Sequence, residues 1–234
     1  MSASKYNVFN ALIDIVTAPG TALAGVKDHV KWLWWPLGLS MLLGIGLTAY
    51  YINWVDFDWM VDEIIMSQPV ETRAESAEWI RGRMSRQNNL VMSVILIPVV
   101  SLLIYSLLAT YYHLANKLTA GAALRWTQWF SMSVWTSFVN IFSTVAAFVV
   151  ILMQDGNQLP QHELQALSVN SLLLHLEPGD RGFTWGNSLL LTNFWSVGLV
   201  GIGFSRWTGS SLLKSIIIGA FPFVLVYGIW AAFI

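Results

Sequence analysis

The last part of the chain contains two long apolar runs joined by a short polar link. Residues 188–205 and 211–234 are almost free of charge, and the charged side chains nearest the link are Arg206 and Lys214. A helix needs about 20 apolar residues to cross the roughly 30 Å hydrocarbon core of a bilayer, and each run comes close to or exceeds this length. The two runs therefore predict a helical hairpin in a membrane, with the link at one membrane face.

The rest of the sequence supports a membrane location. Hydrophobic residues make up 56% of the chain and charged residues 11%, whereas a soluble domain carries about 25% charged residues. Three further apolar runs, residues 32–54, 90–114 and 127–153, are long enough to span a bilayer. We therefore predict an all-α membrane protein with five transmembrane helices, which form a single membrane domain over residues 31–234.

The composition also argues against several activities. The net charge is -1 and no run of Lys and Arg is present, so nucleic-acid binding is not expected. The chain has no Cys, which removes thiolate catalysis and Cys-ligated zinc. Away from their ends, the predicted spans contain no Asp, Glu, Lys or Arg, and ion-coupled transporters usually place such groups at membrane depth. Gly-rich phosphate loops and serine-nucleophile motifs are missing, so we expect neither an enzyme nor a cofactor.

Residues 1–30 have the pattern of an amphipathic segment. Asn10 and Asp14 interrupt its apolar residues, and Pro19-Gly20 ends it. The apolar side chains that share one helical face are Val8, Phe9, Leu12, Ile13 and Val16. This pattern predicts an interfacial helix in the headgroup region of the bilayer, and a helix packed on the end of the bundle is an equal alternative.

Two polar stretches, residues 56–88 and 154–187, separate the spans. The first is predicted to form short amphipathic helices on either side of Pro69, and the second to form one from residue 160 to 176. The two short links carry four cations and no acid, namely Lys117, Arg125, Arg206 and Lys214. Because short cytoplasmic links are enriched in Lys and Arg, we predict a cytoplasmic N-terminus, an extracytoplasmic C-terminus and two extracytoplasmic loops.

Four short motifs together resemble a known family. They are Leu12-Ile13-Asp14-Ile15-Val16 ending at Pro19, Trp35-Pro36-Leu37, Gly121 with the aromatic-rich Trp126 to Phe130, and Asn193-Phe194-Trp195 followed by Gly198, Gly203 and Ser210 to Lys214. With them the chain resembles, over nearly its whole length, the bacterial branch of the Yip domain family, the Ypt/Rab-interacting membrane proteins with five transmembrane helices. The resemblance implies an integral protein of the bacterial inner (plasma) membrane without an established reaction.

The resemblance also bears on partners. Eukaryotic members of the family are associated with prenylated Rab GTPases and typically carry an Asp-x-x-Gly-Pro signature near the first span. This chain lacks that signature, because Asp14 and Pro19-Gly20 have a different spacing and order. A GTPase partner is therefore doubtful, and the expected partners are the lipid bilayer, a second copy of the chain or another membrane protein.

A polar stripe runs along the third predicted span. Its members, spaced four, three and four residues apart, are Ser133, Ser137, Asn140 and Thr144. In a helix this spacing places all four on one face, which should contact protein or water rather than lipid. Hydrogen bonding between helices is the preferred interpretation, and the lining of a polar pathway is the alternative. Thr192 and Asn193 of the fourth span are candidates to join the stripe.

Small residues and one histidine are the other candidates within the membrane. The small residues that would allow close helix packing are Ser40, Gly44, Thr48, Gly198, Gly201 and Gly219. His113 lies near the end of the second span and is a candidate proton switch, although a histidine at a membrane interface is more often an ordinary member of the aromatic belt.

The polar loops contain weak candidates for metal ligands. They are His162, Glu163 and His175, with the acidic side chains of Asp56, Asp58, Asp62, Glu63, Glu177 and Asp180. Their spacing matches no metal motif, since His162-Glu163 lacks the second histidine of HExxH. A solvated acidic face is the preferred interpretation, and no metal is expected.

Two functions from different classes follow from the sequence. The first is a non-enzymatic Yip-type membrane protein that interacts with membrane partners or organises the membrane. The second is a small transporter or channel for a neutral solute, lipid or metal ion, lined by the polar stripe. A sensor whose acidic loop binds a cation is a third possibility. The first is preferred because no predicted span contains a buried charge.

Overall fold

The computed structural model describes residues 6–68 and 72–234, and the regular elements of these residues are helices. The α-helices are α1 (Val8–Thr17), α2 (Pro19–Asp28), α3 (Trp34–Trp54), α4 (Phe57–Met66), α5 (Arg73–Arg83), α6 (Arg86–Thr119), α7 (Trp126–Ser137), α8 (Ile141–Met153), α9 (Phe183–Ser188), α10 (Leu191–Thr208) and α11 (Leu212–Ala232). Three short 3-10 helices, Val30–Leu33, Phe138–Asn140 and Gln161–Leu164, and a π-helical turn, Asn170–Leu174, lie between them.

Polar side chains determine where several of these helices begin. The Asn7 side chain accepts hydrogen bonds from the backbone N–H groups of Phe9 and Asn10 at the start of α1. Asp56 accepts one from Trp59 at the start of α4, and Ser211 caps α11 in the same way. Such caps satisfy N–H groups that have no partner inside the helix.

Among the described residues, four helical segments are long and apolar enough to cross a membrane. They are Val30–Trp54, Arg86–Thr119, Trp126–Met153 and Leu212–Ala232. They correspond to the first, second, third and fifth spans predicted from the sequence. The fourth predicted span corresponds to α10, whose 18 residues include Arg206 and which is not among these four segments. A fifth span therefore stays a prediction.

The chain divides into two compact units. Unit 1 comprises Met1–Ser40, Val100–Ile141 and Thr192–Phe233. Its core is formed by buried side chains of α1, α2, α6, α7, α10 and α11, the largest of which are Trp129, Trp135, Tyr112, Phe204, Ile15 and Leu23. The first, middle and last parts of the chain thus share one apolar core.

Unit 2 comprises Met41–Val99, Phe142–Leu191 and Ile234. Its larger core contains Tyr51, Val55, Ile151 and Leu159, and the Tyr51 hydroxyl donates to the Leu159 carbonyl at 2.7 Å. This bond fixes the segment after α8 against the end of α3. A smaller apolar cluster joins α4 to α5, where Arg81 and Asp62 also form an exposed ion pair at 2.8 Å.

The polar loops differ from their prediction in one respect. Helices α4 and α5 lie on the two sides of Pro69, although Pro69 and Val70 themselves are outside the described residues. The prediction of one helix from residue 160 to 176 is wrong. Residues 167–169 instead pair with residues 189–191, through hydrogen bonds from Val169 N to Leu189 O and from Leu191 N to Leu167 O. This extended pairing competes with helix formation and separates the 3-10 helix from the π-helical turn.

Candidate functional site

An aromatic cluster of α7 and α10 lies at the centre of unit 1. Trp129 is 0% exposed, and its ring lies 5.2 Å from the ring of Phe204 and 5.6 Å from that of Trp207. The Trp207 indole N–H donates to the Leu23 carbonyl of α2 at 2.9 Å. This bond and the apolar contacts of Leu23 hold α2 against α10 within unit 1, even though Leu23 and Trp207 are 184 positions apart.

Glycines allow α10 and α11 to approach each other closely. A Cβ atom on Gly201 would lie 2.5 Å from Ile216 Cγ1 and 3.2 Å from Ile216 Cα. One on Gly219 would lie 2.9 Å from Val200 Cγ1. A Cβ atom on Gly198 would have open space around it, so Gly198 makes no comparable contact. Gly203 makes room for Met132 and Leu23 instead.

The other predicted small residues are on α3, where Ser40 belongs to unit 1 and Gly44 and Thr48 belong to unit 2. A Cβ atom on Gly44 would lie 3.8 Å from Ile97, which is an ordinary van der Waals distance. The Thr48 hydroxyl donates to the Gly44 carbonyl of its own helix at 3.0 Å.

A tyrosine on α6 supplies a hydrogen bond that a proline in α11 removes. Pro222 has no N–H group, so the Ile218 carbonyl four residues earlier lacks its usual helical donor. The Tyr111 hydroxyl donates to that carbonyl at 3.0 Å, and its ring stacks on Phe221 at 5.8 Å. The carbonyl that Pro222 leaves without a donor is thereby bonded by a neighbouring helix, as a buried backbone group in a membrane requires.

Several cations of unit 1 lie at the ends of its helices. Lys27 Nζ donates to the Trp207 carbonyl at 3.5 Å, Lys214 Nζ donates to the Thr119 carbonyl at 3.1 Å, and the Arg206 guanidinium lies against Gly20. Where the structure describes the chain, the single ion pair is the one between Arg81 and Asp62 of unit 2.

The tyrosine that precedes α1 stays neutral. Burial raises the pKa of the Tyr6 hydroxyl to about 12, and the negative charge of Asp14 acts in the same direction.

The polar stripe is divided by a change in helix type. Ser133 is 0% exposed and its hydroxyl donates to the Trp129 carbonyl at 3.0 Å, while Ser137 is half-buried at the end of α7. Asn140 lies in the 3-10 helix, and its Oδ1 is buried without a hydrogen-bond partner in the described part of the chain. Thr144 belongs to unit 2.

The two candidates from the fourth predicted span lie on α10. Thr192 is buried there and Asn193 is half-buried.

Other buried polar residues of unit 1 did not emerge from the sequence. Asn116 is 1% exposed, and its side chain both donates to the Ala122 carbonyl and accepts from the Ala122 N–H. These two bonds close the link between α6 and α7, in which Gly121 has a φ of 66°. A Gly just past the end of an apolar helical run is the signal that indicates such a helix end, and Gly121 is in that position. The other buried polar residues, which carried no comparable signal, are Ser131, Thr136, Ser196 and Ser215.

The structure places His113 on α6, half-buried, with its Nδ1 atom buried and without a hydrogen-bond partner among the described residues. The weak metal candidates lie in unit 2. His162 and Asp180 line a cavity of about 650 Å³ with Glu63, but Glu163 and His175 are not part of that lining. In residues 6–68 and 72–234, no three His, Asp or Glu side chains are close enough together to hold a metal ion.

These features are those of a helical integral membrane protein. Its apolar helices are long enough to span a membrane, and buried polar groups such as the Ser133 hydroxyl bond to their own helix. The model of the Yip1 domain matches residues 13–233, and the chain therefore belongs to the Yip1 family. No curated protein and no solved structure matches the chain significantly. The predicted resemblance is confirmed at the level of the family.

Proposed function

We propose that this protein catalyses no reaction and acts by organising the membrane, through contacts with partner membrane proteins or with the bilayer itself. The observation that carries this proposal is the division of α1 into two faces. The inner face packs into the core of unit 1 through Ala11 and Ile15, both 0% exposed. The outer face leaves Phe9 58% exposed and Ile13 65% exposed.

The exposed apolar surface extends from α1 to the start of α3. The ring of Phe9 lies 5.2 Å from that of Trp35, and both Trp34 and Trp35 are exposed. Tryptophan is enriched where a protein meets the boundary between lipid and water. An apolar helix face beside exposed tryptophans suits either the headgroup boundary of a bilayer or the surface of another membrane protein.

A charge on the outer face of α1 tests this proposal. If the outer face of α1 binds protein, we expect Ile13→Glu to abolish the oligomer or the bound partner that the wild type shows. If this face binds the bilayer, we expect the variant to lose the wild-type effect on vesicle shape. In both cases the reason is that a carboxylate opposes burial of the face. Thr21→Glu is the matched control, since Thr21 is also exposed but lies on α2. The readouts are native mass spectrometry of protein purified from native membranes and the diameter of proteoliposomes. A wild type that is a lone monomer and leaves vesicles unchanged would contradict the proposal.

We further propose five spans, with α10 as the fourth, in a bacterial inner membrane. At 1.5 Å per residue the 18 residues of α10 extend about 27 Å, close to the thickness of a hydrocarbon core. Eight of its residues are buried in unit 1, so α10 needs fewer lipid-facing apolar side chains than an exposed helix does. The acid-free links at Lys117 and Arg206 support a cytoplasmic N-terminus and an extracytoplasmic C-terminus.

Single cysteines test this topology without background, because the chain has none of its own. We expect Glu75→Cys to react with a membrane-impermeant maleimide on intact cells. Lys117→Cys should react only after the membrane is permeabilised, which makes it the matched control. Protection of Glu75→Cys in intact cells would overturn the orientation.

The polar stripe is proposed to stabilise packing rather than to line a pathway. Support comes from Ser133, which is fully buried beside the aromatic cluster and bonded to its own helix. We expect Ser137→Leu and Asn140→Leu to lower the thermal midpoint in detergent, because each places a larger apolar side chain in a half-buried polar position. A transporter or channel predicts the contrary result, in which both variants keep their stability and lose solute flux across proteoliposomes.

A further inference from the structure

The surface of unit 1 has an apolar groove between α6 and α11. Its volume is about 470 Å³, and its walls include Ile104, Leu107 and Leu108 on α6 and Leu225 and Val226 on α11. No Gly, Ala, Ser or Thr lines it. Helices that associate in membranes favour such small residues at their contacts, so the groove suits a flexible chain better than a second helix.

Three contacts define how the groove is oriented along the two helices. Lys214 contacts Thr119, Tyr111 contacts Ile218, and Ile104 faces the groove together with Val226. The two helices are therefore antiparallel neighbours. Lys214 lies at the end of the pair where α6 ends and α11 begins. At 1.5 Å per residue, Phe221 lies about 10 Å and Val226 about 18 Å along α11 from Lys214. Half of a hydrocarbon core is about 15 Å thick, so the groove lies at the depth of the inner part of an acyl chain and reaches the bilayer midplane.

The charges at the end of this helix pair favour an anion. Lys117 and Lys214 are both exposed there, and residues 100–141 and 192–233 contain four cations and no Asp or Glu. Lys214 uses one donor on the Thr119 carbonyl, and an ammonium group has three. Its remaining donors are available to a phosphate oxygen.

We propose that the groove binds an anionic glycerophospholipid of the surrounding bilayer. One acyl chain lies along the groove between α6 and α11, and the phosphate lies at Lys214 and Lys117. The membrane supplies this ligand, whose apolar and anionic parts match the two parts of the site.

Native mass spectrometry of the full chain in detergent tests the proposal, with equal amounts of phosphatidylglycerol and phosphatidylcholine that carry the same acyl chains. We expect the wild type to retain phosphatidylglycerol. Val226→Trp fills the groove and should lose the lipid adduct, whereas Val224→Trp should keep it, because Val224 is similarly exposed on α11 but does not line the groove. Leu107→Trp and Leu103→Trp form a second matched pair on α6 and serve if Val226→Trp does not fold.

The headgroup part of the site is tested separately. A cation near the membrane surface contributes about fivefold to anionic-lipid binding, so Lys214→Gln should reduce the preference for phosphatidylglycerol about fivefold. Lys27→Gln, which removes a cation from α2, should leave the preference unchanged. Equal retention of the two lipids by the wild type, or equal retention by the variants of each Trp pair, would overturn the proposal. A dimer without lipid that Val226→Trp dissociates would show that a second copy occupies the groove.

Discussion

Replacement of Trp129 by Ala is expected to lower the free energy of unfolding by about 3–5 kcal/mol, the range measured for loss of a fully buried large aromatic side chain. Trp129 is 0% exposed and packs on Phe204 and Trp207, so its removal leaves a cavity where α7 meets α10. The measurement is denaturant or thermal unfolding of the purified protein in detergent, followed by near-ultraviolet circular dichroism.

Two variants control for the chemistry of the indole. Trp129→Phe keeps most of the ring, and the Nε1 of Trp129 has no hydrogen-bond partner in the described part of the chain, so this variant should be much less destabilised than Trp129→Ala. Trp34→Ala removes a tryptophan that is 66% exposed and should change stability little in detergent. If Trp34→Ala and Trp129→Ala unfold at the same midpoint, the aromatic cluster is not the centre of the core.

Replacement of Gly201 by Leu is expected to destabilise the contact between α10 and α11 by about 3 kcal/mol, at the upper end of typical overpacking. Even a single Cβ atom there would meet the side chain and the backbone of Ile216, so the two helices must separate. Gly198→Leu is the matched control, because Gly198 lies on the same helix with open space around its Cα. Thermal midpoints that fall equally for both variants would show that close approach at Gly201 is not required.

Hydropathy was sufficient to predict the four apolar segments, because an uncharged run of this length has few other stable states. The family could be predicted as well, because its short motifs are spread along nearly the whole chain. Hydropathy decides less about α10, which the sequence also predicts as a span. Helix α10 carries Thr192, Ser196 and Arg206, and eight of its residues are buried in unit 1, so composition alone does not establish that it crosses the membrane.

The polar stripe shows a second limit. Its predicted alignment assumed a continuous α-helix, but residues 138–140 form a 3-10 helix. Such a helix turns about 120° per residue rather than about 100°, so faces drift by about 60° over three residues. No Pro or Gly lies in this segment to indicate the change.

The segment of residues 160–176 shows a third limit. It carries an amphipathic pattern, but its pairing with residues 189–191 depends on a contact that local sequence does not reveal.

The hydrogen bond between Trp207 and Leu23 has a consequence for how the protein is made. Residues 23 and 207 belong to the first and last parts of the chain, and the core of unit 1 needs both. During synthesis α1 and α2 emerge well before α10, so their buried faces lack the Trp207 and Phe204 side chains until α10 has been made. The early helices must meanwhile be sheltered by lipid or by the insertion machinery, and a chain cut before residue 191 would lack the α10 and α11 side of that core.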